Sequence, residues 1–288
     1  MGAVFVTGAT GIVGSAVVEH LLAAGEHVIA GVRQRSDAPS AAIGVPAGAE
    51  ARPFEFGASA ADLRAALEGT DRLFLMRPPA IEDVRTYLFP VIDAARERGI
   101  RQIVFLSLQG VQANRRTPHH AVEQYLRSSG APYTSLRPNF FMQNLSTTYA
   151  AEIRETGRIV VPASRSYTAF IDARDIGRVA AAVFTRPGHV GKAYTLSGEQ
   201  SLTYAQIARI MTEELGREIV YTRPSEAEYL AKLAAHGRPA DYVAVQKMIY
   251  RVVRMNVSAF PNRTVRRLTG SPATTFRRFV RDYPTAWV

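Results

Sequence analysis

Residues 4–25 read VFVTGATGIVGSAVVEHLLAAG, and this stretch constrains the fold more than any other. A short apolar run meets three glycines, Gly8, Gly11 and Gly14, and an amphipathic helical pattern follows. A strand that feeds a helix through a glycine turn lets the backbone approach a pyrophosphate and points the helix N-terminus at negative charge. The spacing alone would describe many loops. Its place at the first strand-to-helix junction makes it a dinucleotide cradle, with Gly8, Thr10, Gly11, Ile12 and Val13 as the expected contacts.

The same alternation continues through the first half of the chain. Strands are expected over residues 3–7, 27–32, 51–56, 72–76, 102–107 and 133–138, with helices over 15–24, 60–67, 81–98 and 119–128. Apolar strands separated by helices imply a parallel sheet covered on both faces, so the fold class is α/β, a doubly wound Rossmann sheet. At 288 residues the chain can bury that body and a smaller lobe.

The end of the second strand chooses between cofactors. An acid there would hold the ribose hydroxyls of NAD, whereas a 2′-phosphate needs arginine and no acid. The segment VIAGVRQRS has no acid, and Arg33 and Arg35 stand where the phosphate would lie. NADPH or NADP is therefore expected, with NADH held more weakly.

Composition removes several function classes. The absence of cysteine excludes disulfides, thiolate nucleophiles and cysteine metal sites, and fits a reducing, cytoplasmic setting. No stretch approaches the roughly 20 apolar residues of a membrane span, so no membrane partner is expected. A net charge of +10 first suggests nucleic acid. The arginines, however, are dispersed and often stand beside acids, as in DAARERGIRQ and RRFVRDY, so no nucleic-acid partner is expected. Such a surface still attracts anionic ligands. Asp172 and Asp175 lack further clustered ligands and read as a strand end and helix cap, so no metal is expected.

The segment HHAVEQYLRSSGAPYTSLRPNFFMQNL, from His119, stands out in the second half. It is followed by FIDARDIGRVAA from Phe170, YTLSGEQSLTYAQIA from Tyr194 and LTGSPATTFRRFVRDY from Leu268. With the GxxGxxG spacing, these segments resemble the NmrA-like family of atypical short-chain dehydrogenase/reductases over nearly the full length. The resemblance implies an NADPH-dependent reductase of quinones, dyes or plant phenylpropanoids, or else a non-enzymatic sensor of the NADP redox state. It also implies a nucleotide-binding domain over residues 1–140. Residues 141–288 would be mainly a substrate lobe, with a return to the sheet near residues 165–200.

The catalytic inventory separates these readings from others. Short-chain dehydrogenases commonly use Tyr-x-x-x-Lys, but the residues four before Lys192, Lys232 and Lys247 are Gly188, Glu228 and Val243. That counts against a sugar-nucleotide epimerase. By resemblance, His119 takes the position of a lysine or histidine beside the nicotinamide, where it would hydrogen-bond the substrate oxygen, whereas His120 reads as a helix-start residue. Met76, Arg77, Pro78 and Pro79 fall in the loop that passes the nicotinamide ribose, and Ser107 falls at the usual catalytic-serine edge. Pro138, Asn139 and Phe140 resemble the segment that covers the nicotinamide, with core packing expected for at least one of Phe140 and Phe141. Phe56 and Gly57 stand where the family often has an acid for the adenine, which leaves Phe56 to pack on it. Tyr242, Met248 and Tyr250 lie in a helical stretch over residues 229–256, as core or as substrate wall. The expected partner is a small aromatic or quinone substrate, and the chain is expected as a monomer or homodimer.

Overall fold

A computed structural model describes residues 2–33 and 44–288. β1 (Ala3–Val6), buried at every position, leads into α1 (Ile12–Ala23), β2 (Val28–Val32) and β3 (Glu50–Pro53). Then come α2 (Ala60–Ala66), β4 (Thr70–Met76), α3 (Val84–Tyr87), α4 (Phe89–Glu97), β5 (Gln102–Leu106), α5 (Pro118–Ser128) and β6 (Tyr133–Pro138). α6 (Gln143–Ser146), α7 (Ala150–Thr156), β7 (Arg158–Ile159) and β8 (Tyr167–Thr168) precede α8 (Ala173–Thr185) and β9 (Lys192–Leu196). The remaining elements are β10 (Leu202–Thr203), α9 (Tyr204–Leu215), β11 (Val220–Tyr221), α10 (Glu226–Ala235), α11 (Ala240–Arg254), α12 (Thr264–Thr269) and α13 (Phe276–Asp282).

Seven strands form one parallel sheet in the order β3-β2-β1-β4-β5-β6-β9. This is the α/β, doubly wound class. The order reverses direction between β1 and β4, and ligands of open α/β sheets collect outside the strand ends at such a switch point. Thr7 closes the sheet there: its hydroxyl donates to the Phe74 carbonyl at 3.1 Å and accepts from the Met76 amide at 2.9 Å.

The chain divides into two compact units. The first holds residues up to Pro138, Ala173–Leu196 and Thr264–Ser271. Its core includes Phe5, Ile29, Leu73, Phe105 and Val122. The second holds Asn139–Asp172, Ser197–Arg263 and Pro272–Val288, around Ile153, Phe170, Met211, Tyr250, Phe279 and Trp287. The return to the sheet begins at Ala173, while Ile171 belongs to the second unit and bridges Phe141. A second return, α12, has no counterpart in the sequence reading.

Three element boundaries differ from expectation for local reasons. The strand expected over residues 51–56 ends at Pro53, and Phe54 and Phe56 instead meet edge to face with ring centres 5.0 Å apart. The helix expected over residues 81–98 starts at Val84, where Asp83 caps it by accepting from the amides of Arg85 and Thr86, and is split into α3 and α4 with Pro90 in the first turn of α4. The stretch 229–256 is likewise two helices. Gly237, with φ of +67°, and Pro239 separate α10 from α11.

Candidate functional site

The glycine turn has the shape of an anion cradle. Gly8 has φ of +64°, which favours glycine, and a Cβ there would lie 2.2 Å from the Met76 Cε. Gly14 has no room for a side chain either, because a Cβ would approach the Gly8 carbonyl oxygen to 2.0 Å. These contacts fold the turn tightly against both β4 and the start of α1. No side chain caps α1, and no acid stands in its first turn, so its leading amides face outward without a competing carboxylate. Thr10 and Ile12 are exposed at the mouth, Ile12 by 46%, whereas Val13 is buried beneath it. A pyrophosphate fits these donors.

Arg33 is exposed just beyond the end of β2, and no acid accompanies it among the described residues there. Arg35 lies outside the described residues. Phe56 is half-buried against the first core, and the Tyr87 ring lies against Gly57, whose φ is +88°. The side of the site expected to meet adenine is thus aromatic rather than acidic.

A second group gathers at the C-terminal ends of β4 and β5. Thr117 caps α5 by accepting from the His120 amide at 3.2 Å, which puts His119 in the first helical turn. Its ring lies 6.1 Å from the Phe105 ring. Burial, followed by the Arg77 guanidinium, lowers the His119 pKa to about 4 against a smaller opposing effect of Glu123. The imidazole is therefore neutral near pH 7. No protein group among the described residues hydrogen-bonds its ring nitrogens. His120 is engaged locally instead, donating from Nδ1 to the Val111 carbonyl at 3.0 Å.

One turn after His119, Glu123 is 3% exposed and pairs with Arg137 of β6 through contacts of 2.9 and 2.5 Å. Arg127 adds a third bond at 3.2 Å. Burial alone would raise the Glu123 pKa, but the bonds and charges of these arginines, with a contribution from Ser107, hold it below the usual carboxylate range. The Ser107 hydroxyl is buried and lacks a hydrogen bond of ordinary geometry, although it is close enough to favour the charged Glu123. Sequence reasoning missed this pair. An acid four residues after His119 on one helical face, and an arginine inside the strand YTSLRP, were the available signals.

Of the expected site residues, the structure brings the glycine turn together with Met76 and couples His119 to Arg77 through space, while Phe105, which was not expected at the site, lies next to His119. Pro138 ends β6, with its carbonyl accepting from the Gln109 amide at 3.0 Å. Asn139 and Phe140 begin the second unit, where Asn139 Nδ2 donates to the Ser258 carbonyl and its Oδ1 accepts from the Phe140 amide, each at 2.8 Å. Both ends of that carboxamide are occupied by backbone. Phe140 packs on the second core, and Tyr250, 1% exposed, lies inside it. Tyr250 and Tyr149 share a hydroxyl contact of 2.5 Å, and burial raises the pKa of both phenols. Tyr250 is thus a core residue, while Met248 is exposed. Asp172 accepts from Gln143 Nε2, and Asp175 pairs with Arg178. Among the described residues there is no group of three or more metal-ligating side chains, and no helix is long and apolar enough to cross a membrane.

Residues 2–258 match the NmrA-like family. The chain is 30% identical to an NAD(P)H azoreductase of Xenophilus azovorans, covering 99% of each sequence. Among solved structures it resembles an NADPH-dependent quinone oxidoreductase of Escherichia coli complexed with NADPH, at TM-score 0.85 and 27% identity over 97% of this chain and 99% of that one. It also resembles a triphenylmethane reductase of Citrobacter sp. complexed with NADP(H), at TM-score 0.84 and 25% identity over the same shares.

Proposed function

The chain belongs to the NmrA-like family, and on that premise we propose that it is an NAD(P)H-dependent reductase whose acceptor is a planar, conjugated carbonyl compound such as a quinone. The observation that carries this reading is the neutral His119, in the first turn of α5 next to Phe105, at the sheet edge that also bears the dinucleotide cradle. The sequence relatives and structural neighbours named above support an NAD(P)H-dependent reductase. The choice of acceptor rests on the chemistry of the site.

Gly8, Gly11 and the leading amides of α1 would hold the pyrophosphate, and Arg33 the 2′-phosphate of NADPH. A bound reduced nicotinamide supplies the hydride. The protein's own part is to orient the acceptor and to stabilise charge on its oxygen. A neutral imidazole can offer one N–H to that oxygen, but it holds no extra proton to release, so the proton taken up during reduction comes from water. A conjugated acceptor suits this limited help because the developing charge delocalises into its own ring system. Met76 sets the depth of the cradle by filling the space above Gly8.

The test is steady-state oxidation of NADPH with a graded series of quinones, for the unaltered chain and for His119→Ala. The substitution should slow reduction by no more than the roughly 100- to 1,000-fold that loss of one donor to a developing oxyanion costs. Its effect should shrink toward the most oxidising quinones, which need less charge stabilisation. A loss that is constant along the series would remove His119 from the chemistry.

A further inference from the structure

Arg77 carries a charge that the surrounding protein does not neutralise. Its Nη1 donates to the carbonyls of Pro78, Pro79 and Ile81, which fixes the guanidinium in the loop after β4. Those partners are uncharged. Nε is buried without a hydrogen bond, and the side-chain hydrogen bonds of Arg77 among the described residues are the three from Nη1. No carboxylate there lies within ion-pair distance; Glu82 acts on it only through space, and burial disfavours its charged form. Arg77 in turn acts through space on His119, which is itself uncharged near pH 7.

A half-buried guanidinium held by three neutral carbonyls, with Nε unpartnered and no carboxylate within ion-pair distance among the described residues, is short of one anion. Its planar fork has donors left over, and a guanidinium recognises carboxylate, sulfonate and phosphate oxygens through such donors. We propose that Arg77 selects acceptors that carry an anionic group beside the reducible ring system. The inference rests on the reductase reading and deepens it: His119 addresses the oxygen being reduced, and Arg77 addresses the charge beside it. The phosphates of the cofactor are the competing source of the same chemistry, and the experiment must separate the two.

Two naphthoquinones of matched reduction potential serve as probes, one bearing a sulfonate and one neutral. For the unaltered chain, Arg77→Met and Arg77→Lys, kcat/KM is measured with each acceptor at low and at physiological salt, and the affinity for NADPH is measured in parallel. The unaltered chain should favour the sulfonate by about 10- to 100-fold, the range of one charge-assisted contact. Arg77→Met should abolish that ratio, whatever factor it costs both acceptors through the loop, while Arg77→Lys retains part of it. The ratio should also fall as salt rises. An equal loss for both acceptors with the ratio intact would make Arg77 a scaffold of its loop, and a loss confined to NADPH affinity would assign the charge to the cofactor; either overturns the proposal. Turnover of the neutral quinone without preference for the sulfonate overturns the selection alone. Absence of turnover with both overturns the reductase reading and the selection together.

Discussion

Neutrality at His119 carries a cost that emerges as pH falls. An unfolded histidine titrates near 6.5, whereas His119 in the fold titrates near 4. The stability linked to this residue is complete above pH 6.5 and is lost as pH falls toward 4, because the unfolded chain then takes up the proton more readily. The full difference corresponds to about 3 kcal/mol. His119→Asn should therefore lose about 2 kcal/mol less than the unaltered chain between pH 7 and pH 4.5 in urea unfolding; identical losses would show that the imidazole titrates normally. Arg33→Ala makes a different demand. NADPH binding should weaken by about 1–3 kcal/mol while NADH binding hardly changes, as calorimetry with both cofactors would show, and equal losses would remove Arg33 from the phosphate site. The placement of His119 was legible from a resemblance between whole segments. Its charge state was not, since that depends on burial and on Arg77, which is distant in sequence. The free donors of Arg77 were equally hidden, because only the folded loop shows which carbonyls it uses.

Among the elements, α1 and α5 do most to shape the site. A Cβ at Gly11 would meet the Gly8 carbonyl oxygen at 3.3 Å and the flexible Met76 Cε at 3.9 Å, so the fold can absorb a side chain there by a small shift while a ligand path over the turn would be blocked. Gly11→Val should keep the fold, as far-ultraviolet circular dichroism would report, yet lose dinucleotide affinity. Retained affinity would mean the turn holds something else. At α5, the Glu123 and Arg137 pair ties the helix bearing His119 to β6. Glu123→Leu strands a mostly buried guanidinium and should cost about 3–5 kcal/mol in urea unfolding, much of it recovered when Arg137→Met is added. A double variant no more stable than Glu123→Leu would contradict this tether. β1, β2, β4 and β5 were legible because doubly covered parallel strands read as apolar runs, whereas the edge strand β9, which is KAYTL and partly exposed, was not expected. The helices over residues 81–98 and 229–256 were drawn too long, since the apolar pattern continues across Pro90, Gly237 and Pro239 while the backbone does not.

Among the described residues, many arginines are held in ion pairs. Arg72, almost wholly buried, bonds Glu26 and Asp71; Arg277 and Arg281 pair with Glu213 and Glu214; Arg254 pairs with Glu226. Most of these pairs join residues far apart in sequence, and Arg77 is informative because it is half-buried without one. The chain's passage between its two units was only partly legible. The return at Ala173 follows a recognisable motif, but α12 is six residues with no signal of its own beyond Leu268 and Val265 on its buried side. The central claim is that the protein transfers hydride from a nicotinamide held in the cradle. The most direct measurement is single-turnover oxidation of NADPH deuterated separately at each of the two C4 positions, with a quinone in excess. One label should slow the reaction by a primary isotope effect and appear in the transferred position, while the other remains on the cofactor; NADPH bound tightly but oxidised no faster than in buffer would contradict the claim and leave a nucleotide-binding regulator as the better description.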